Sequence, residues 1–186
     1  MEEIATVAGL SKRTLYNIYA DKSALFMQII TDAIAFAEQF AHGLAGEFVD
    51  ITATNLPGAL HDLGRRLALA ILRPEIIALR RLLIGEARSF PELAEGHFDR
   101  APDQVMAALA SAFKQLSSAG LLRMEDTRRA AEQFAYLVAG APLDRAMLLG
   151  TTPTEEEVVA CARDGVETFL ARYGTESPTN QSPSSR

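Results

Sequence analysis

Apolar side chains recur every three or four residues along almost the whole of this chain, while the two-residue alternation of a half-buried strand is nearly absent. That feature leaves little but an all-α fold. Proline and glycine clusters mark where one helix gives way to the next. Residues 2–8 and 11–19 read as two short helices separated by Ala8-Gly9-Leu10, with Ser11 placed to cap the second. This is the spacing of a helix-turn-helix. A long helix starts near Asp21 and carries Leu25, Ile29, Ala33, Phe36, Phe40 and Leu44 as one stripe, ending near Gly46.

Beyond a loop through Asn55 and Pro57, a helix carries Leu60, Leu63, Leu67 and Ile71, and Pro74 opens the next, with Ile76, Ile77, Leu83 and Ala87. Ser89-Phe90-Pro91-Glu92 has capping-box spacing and predicts a helix to about Ser118, with a break near Pro102. Asp126 can cap a helix through Phe134, Leu137 and Val138, which Gly140 and Pro142 should kink before Leu149. Thr152-Pro153-Thr154-Glu155 offers a second capping-box register, ahead of a last helix ending at Tyr173-Gly174. The Ser- and Pro-rich tail after it predicts disorder.

With 48% hydrophobic residues in 186, the chain can bury a sizeable core. Its net charge of −6 excludes a protein that coats nucleic acid through a general basic field, so any DNA contact must be local. One cysteine, Cys161, allows no internal disulfide, and the first residues are acidic where a secretory leader would be basic; both point to the cytoplasm. No apolar run is expected to reach the roughly 18 to 20 residues that span a bilayer. No membrane partner, metal or cofactor is expected. His42, His61 and His97 lack the paired Glu-x-x-His spacing of a di-iron bundle, and no Gly-rich phosphate loop is present, so an enzyme is not expected.

On a helical wheel, Leu15, Ile18 and Tyr19 fall on one arc and Arg13, Tyr16 and Asn17 on the opposite one, with Lys12 and Thr14 at the rims. A cation, an amide, a hydroxyl and a phenol are the groups that hydrogen-bond base edges and phosphates, and the major groove admits one helix. Such a face could equally be solvated. The fuller string from Glu3 through Phe26, EIATVAGLSKRTLYNIYADKSALF, resembles the helix-turn-helix signature of the TetR family. By that resemblance Arg13, Thr14 and Asn17 face base edges, Lys12, Tyr16 and Lys22 hold phosphates, Gly9 sits in the turn and Leu15 in the head's core. Phe90-Pro91-Glu92-Leu93 and the stretch from Arg128 through Leu149 resemble the C-terminal domain of AefR-like members.

The resemblance implies a reading head at 1–26, a ligand-binding and dimerisation domain at 27–173 and a tail at 174–186. Family members carry a further helix ahead of this head, so roughly two dozen residues are expected to be missing upstream, and without them Ile4, Val7 and Leu15 would lose burial. The family also implies a homodimer through Asp126 to Leu149 and Thr154 to Tyr173, a double-stranded operator, and a small-molecule ligand that releases it. Candidate pocket residues are Phe90, His97, Phe98, Met106, Phe113, Phe134 and Tyr136, since pockets are largely apolar with few polar anchors. Core packing is the competing role for each. Arg65, Arg66, Arg73, Arg80, Arg81 and Arg88 are expected to pair with Glu and Asp at the surface. The alternative function is a dimeric sensor that does not bind DNA.

Overall fold

The computed structural model describes residues 1–44 and 46–175. Among them run nine helices: α1 (Glu2–Val7), α2 (Lys12–Ile18), α3 (Lys22–Gly43), α4 (Leu56–Ile71), α5 (Pro74–Glu86), α6 (Pro91–Arg100), α7 (Pro102–Ser118), α8 (Thr127–Leu149) and α9 (Glu155–Tyr173). Most of the expected tail lies outside the described residues.

Short polar side chains start several of these helices where expected. The Ser11 hydroxyl accepts from the Thr14 N–H at 3.0 Å, Asp21 from Ala24 at 2.8 Å, and Asp126 from Arg129 at 2.9 Å. Two expectations need correction. Ser89 caps nothing: Phe90 precedes α6, and Pro91 takes the first helical position, where a missing N–H is harmless. The capping box of α9 joins Thr154 to Glu157, two residues beyond the expected register, because only there do both reciprocal bonds close. Ala101, ahead of Pro102, leaves regular helical geometry and separates α6 from α7 as anticipated. Gly140 and Pro142 lie within α8, which continues to Leu149. Pro142 cannot donate to the fourth carbonyl back, but Phe134, Val138, Ala139 and Ala146 are buried on either side of it and hold the helix in place.

The main core lies among α4, α7, α8 and α9. At its centre the Phe113, Phe134 and Phe169 rings meet at centroid distances of 5.0 to 5.4 Å, Phe134 edge-on to both others. Ala130, Ala131, Ala135 and Ala139 on α8 are buried inside the chain, so these alanines serve its own packing. Helices α8 and α9 approach so closely at Gly165 that a Cβ there would stand 2.4 Å from the Leu137 carbonyl oxygen. Gly165→Ala is therefore expected to lower the unfolding free energy by at least about 1–3 kcal/mol, the cost of forcing volume into a packed interior. Urea denaturation measures it, and an unchanged midpoint would mean that the two backbones part at little cost.

A second, smaller core joins Ile30, Ala33 and Ile34 of α3 to Leu79 and Leu83 of α5 and to Ala101. By length and composition α3 is apolar enough to cross a membrane, contrary to expectation. Its buried face is instead occupied by this core. The Arg81 guanidinium on α5 donates to the Met147 carbonyl at 2.7 Å, satisfying an acceptor in the last turn of α8.

Candidate functional site

Two places concentrate polar groups that the packing does not explain: the α1–α2 head and a chamber beneath α3. In the head, Gly9 takes φ +67°, a left-handed conformation that a Cβ disfavours, and so turns the chain between the two helices. Ala5 and Leu15 are buried there. Leu15 keeps its burial despite the expectation, whereas Val7 is 90% exposed and Ile4 half-buried. Ile18 also departs from its wheel position. Helix α2 ends at Ile18 and Tyr19 turns extended, which leaves Ile18 exposed and Tyr19 half-buried.

Lys12, Arg13, Thr14, Tyr16 and Asn17 are all exposed on α2, and Lys22 is the first residue of α3, also exposed. The Thr14 hydroxyl lies 2.8 Å from that of Ser11, tied into the cap. Lys12 Nζ donates to a Glu2 carboxylate oxygen at 2.8 Å, which holds the Glu2 carboxyl below its usual range and raises the ammonium above its own. In the free chain this cation is engaged by α1. Glu2→Gln is accordingly expected to strengthen nonspecific DNA binding a few-fold at low salt, with the gain fading as salt screens it. An unaltered affinity in an anisotropy titration would remove Lys12 from the contacting set.

The chamber lies between α3, α4, α5, α6 and α7, encloses about 90 Å³, and is walled by Phe36, Phe40, Leu67, Ile71, Val105 and Met106. On the far side of Arg80, His97 and Pro102 opens a second space of about 260 Å³, lined by Leu83, Ile84, Ala87, Ala94, Phe98 and Met147. Arg80 and His97 border both. His97 is buried and its Nδ1 has no hydrogen-bond partner. Burial, and secondarily the Arg80 cation, push the imidazole below its ordinary pKa. Burial likewise lowers Arg80. Arg65 and Arg66 pair with Asp62, Arg66 also with Glu47, and Arg73 with Glu75, as expected of surface arginines, but among the described residues no carboxylate meets Arg80.

Of the anticipated pocket residues, His97 and Met106 line the first chamber, and His97 and Phe98 the second. Phe90 lies elsewhere, in a groove of about 360 Å³ with Ile4, Phe26 and Leu93. Phe113 and Phe134 stand in the main core, fully buried, and Tyr136 points outward from α8, 74% exposed. Reasoning from sequence did not single out Phe36, Phe40, Ile76 and Arg80 as pocket residues. For Arg80 a signal existed: Ile76 and Leu83, four before and three after, put it on an apolar face.

Residues 58–175 match the family model described as the AefR-like transcriptional repressor, C-terminal domain. The chain belongs to the TetR family of transcriptional regulators. Among solved structures, a TetR-family regulator from Mesorhizobium loti is 31% identical over 94% of this chain and 86% of that one, with a TM-score of 0.76. A TetR regulator from Agrobacterium tumefaciens is 28% identical over 92% of this chain and 82% of its own, at a TM-score of 0.65. The flavonoid-responsive regulator FrrA is 28% identical over 95% and 87%, at 0.61. No curated protein matches. Membership in the TetR family connects the two places described above: regulators of this family bind DNA operators, act as dimers and respond to small molecules.

Proposed function

We propose that this TetR-family chain is a repressor whose two heads read a pseudopalindromic operator and let go of it when a small molecule enters the α3–α7 chamber. The observation that carries the reading is the exposed face of α2, where Arg13, Tyr16 and Asn17 stand free of the head's core beside the Ser11-capped helix start. Two cations at a helix N-terminus oppose the macrodipole, and a bound phosphate reverses that. The dimer is assigned to the outward faces of α8 and α9, which would form a four-helix bundle with a second copy. Tyr136, Leu148 and Leu149 are large exposed groups on α8, in keeping with that assignment. Arg13, Thr14 and Asn17 are assigned to base edges and Lys12, Tyr16 and Lys22 to phosphates; His97, Phe98 and Met106 are retained as ligand contacts. FrrA, similar over nearly its whole length, is described as flavonoid-responsive, which supports a ligand-controlled reading here.

The test is fluorescence anisotropy on the intergenic DNA flanking the gene, titrated with salt. About three phosphate contacts per head predict a log–log slope near −5 for the dimer. A slope near zero, or equal affinity for a random duplex, would favour the dimeric sensor that does not bind DNA.

A further inference from the structure

A half-buried cation that no carboxylate pairs with among the described residues, and a buried imidazole nitrogen with no hydrogen-bond partner, border one apolar cavity and amount to half of a recognition site. His97 is more than nine-tenths buried, and its Nδ1 is out of reach of every donor and acceptor among the described residues. An unsatisfied buried polar atom such as His97 Nδ1 costs about 1–3 kcal/mol, which a bound partner would relieve, and the half-buried Arg80 stands at the same cavity. Arg80 borders the same two spaces, and no carboxylate meets it among the described residues. The remaining walls are hydrocarbon: Phe36, Phe40, Ile71, Ile76, Val105 and Met106. We infer that the chamber binds a small organic monocarboxylate, its carboxylate on the Arg80 guanidinium and His97 Nδ1 and its apolar body between α3, α4 and α7. This rests on the chamber being the ligand site of the proposed regulator.

The chemistry narrows the class in three ways. Among the described residues Arg80 is the only cation on either lining, which suits a monoanion and is too little for a phosphate monoester or a dicarboxylate. A planar fork of donors pairs bidentately with the two oxygens of a carboxylate. The imidazole, held neutral by burial, has one N–H to give and adds a directed hydrogen bond without a second full charge. Size sets the body. A closed space of about 150 Å³ takes a benzene ring, and the inner chamber, at about 90 Å³, is smaller. A short alkyl chain fits it as it stands, and a single ring fits if Met106, an unbranched and adaptable side chain, moves aside.

The experiment is isothermal titration calorimetry on the full chain, with butanoate, hexanoate, octanoate and phenylacetate, each compared with the alcohol of the same skeleton. At least one carboxylate is expected to bind about ten- to a hundredfold more tightly than its alcohol, the usual strength of a hydrogen bond to a charged group. Arg80→Met is expected to abolish that preference, and Arg80→Lys, which keeps the charge and loses the fork, to reduce it; circular dichroism checks that each variant is folded. Equal binding of carboxylates and alcohols, or a preference that survives in Arg80→Met, overturns the anion site while leaving the chamber as a ligand site. No binding of either series overturns both. DNA binding by the α2 face is measured separately and depends on neither result.

Discussion

Alanine at Phe134 is expected to remove about 3–5 kcal/mol from the stability of the chain, the usual cost of emptying a buried phenylalanine site. The ring touches both Phe113 and Phe169 edge-on, and all three are fully buried where α7, α8 and α9 meet. Its loss opens a cavity that helices fixed by the Gly165 contact cannot close, since α8 and α9 already touch at the backbone there. Urea unfolding, followed by circular dichroism, gives the difference at constant slope. The measurement also separates two roles for Phe134, which apolar periodicity allows equally to a core residue and to a ligand contact. A loss below about 1 kcal/mol, coupled to weakened ligand binding, would place the ring at a ligand surface and not in the core.

Arg13→Ala is expected to weaken operator binding by about 1–3 kcal/mol per head, the value of one bidentate base contact. A dimer carries the change twice, so the affinity falls roughly thirtyfold or more, and discrimination against a random duplex falls with it. Lys12→Ala should behave differently, lowering affinity for all sequences alike and reducing the salt slope by about one per head. The contrast between the two variants is the informative quantity. If both lose specific and nonspecific binding in equal proportion, α2 holds the phosphate backbone and some other element reads the bases.

The helices were legible because each has an apolar stripe and punctuation that a sequence displays: Ser11, Asp21 and Asp126 cap the starts for which their side chains suit them. Where two capping registers compete, as at Thr152 and Thr154, composition does not choose, because both have a glutamate three residues on. Only the geometry that closes both bonds decides. At Pro142 local propensity argues for a kink, and burial on both sides of it keeps the helix continuous. The two short helices of the head, the Ser11 cap and the Gly9 turn were legible; Ile18 was not, because its side depends on where α2 stops, nor was the retained burial of Leu15. The chamber was the least legible part. Its walls come from α3, α4, α5, α6 and α7, and a phenylalanine facing a cavity, such as Phe36, has the same spacing as one facing the core, such as Phe113. Arg80 was hidden among five other arginines, several of which do pair at the surface.

Helix α3 begins at Lys22, beside the proposed DNA contacts, and its middle presents Ala33, Phe36 and Phe40 to the chamber. It is thus a lever with its load at one end and its effort applied partway along. About 21 Å of helix lies between Phe36 and Lys22, at a rise of about 1.5 Å per residue. A guest that tilts the rod by only about 3° at Phe36 would carry Lys22 sideways by about 1 Å, which exceeds the tolerance of a hydrogen bond spanning about 2.7 to 3.2 Å. On the proposed reading, an occupant would need to tilt α3 by no more than this to put both heads out of step with the groove, without any helix having to melt.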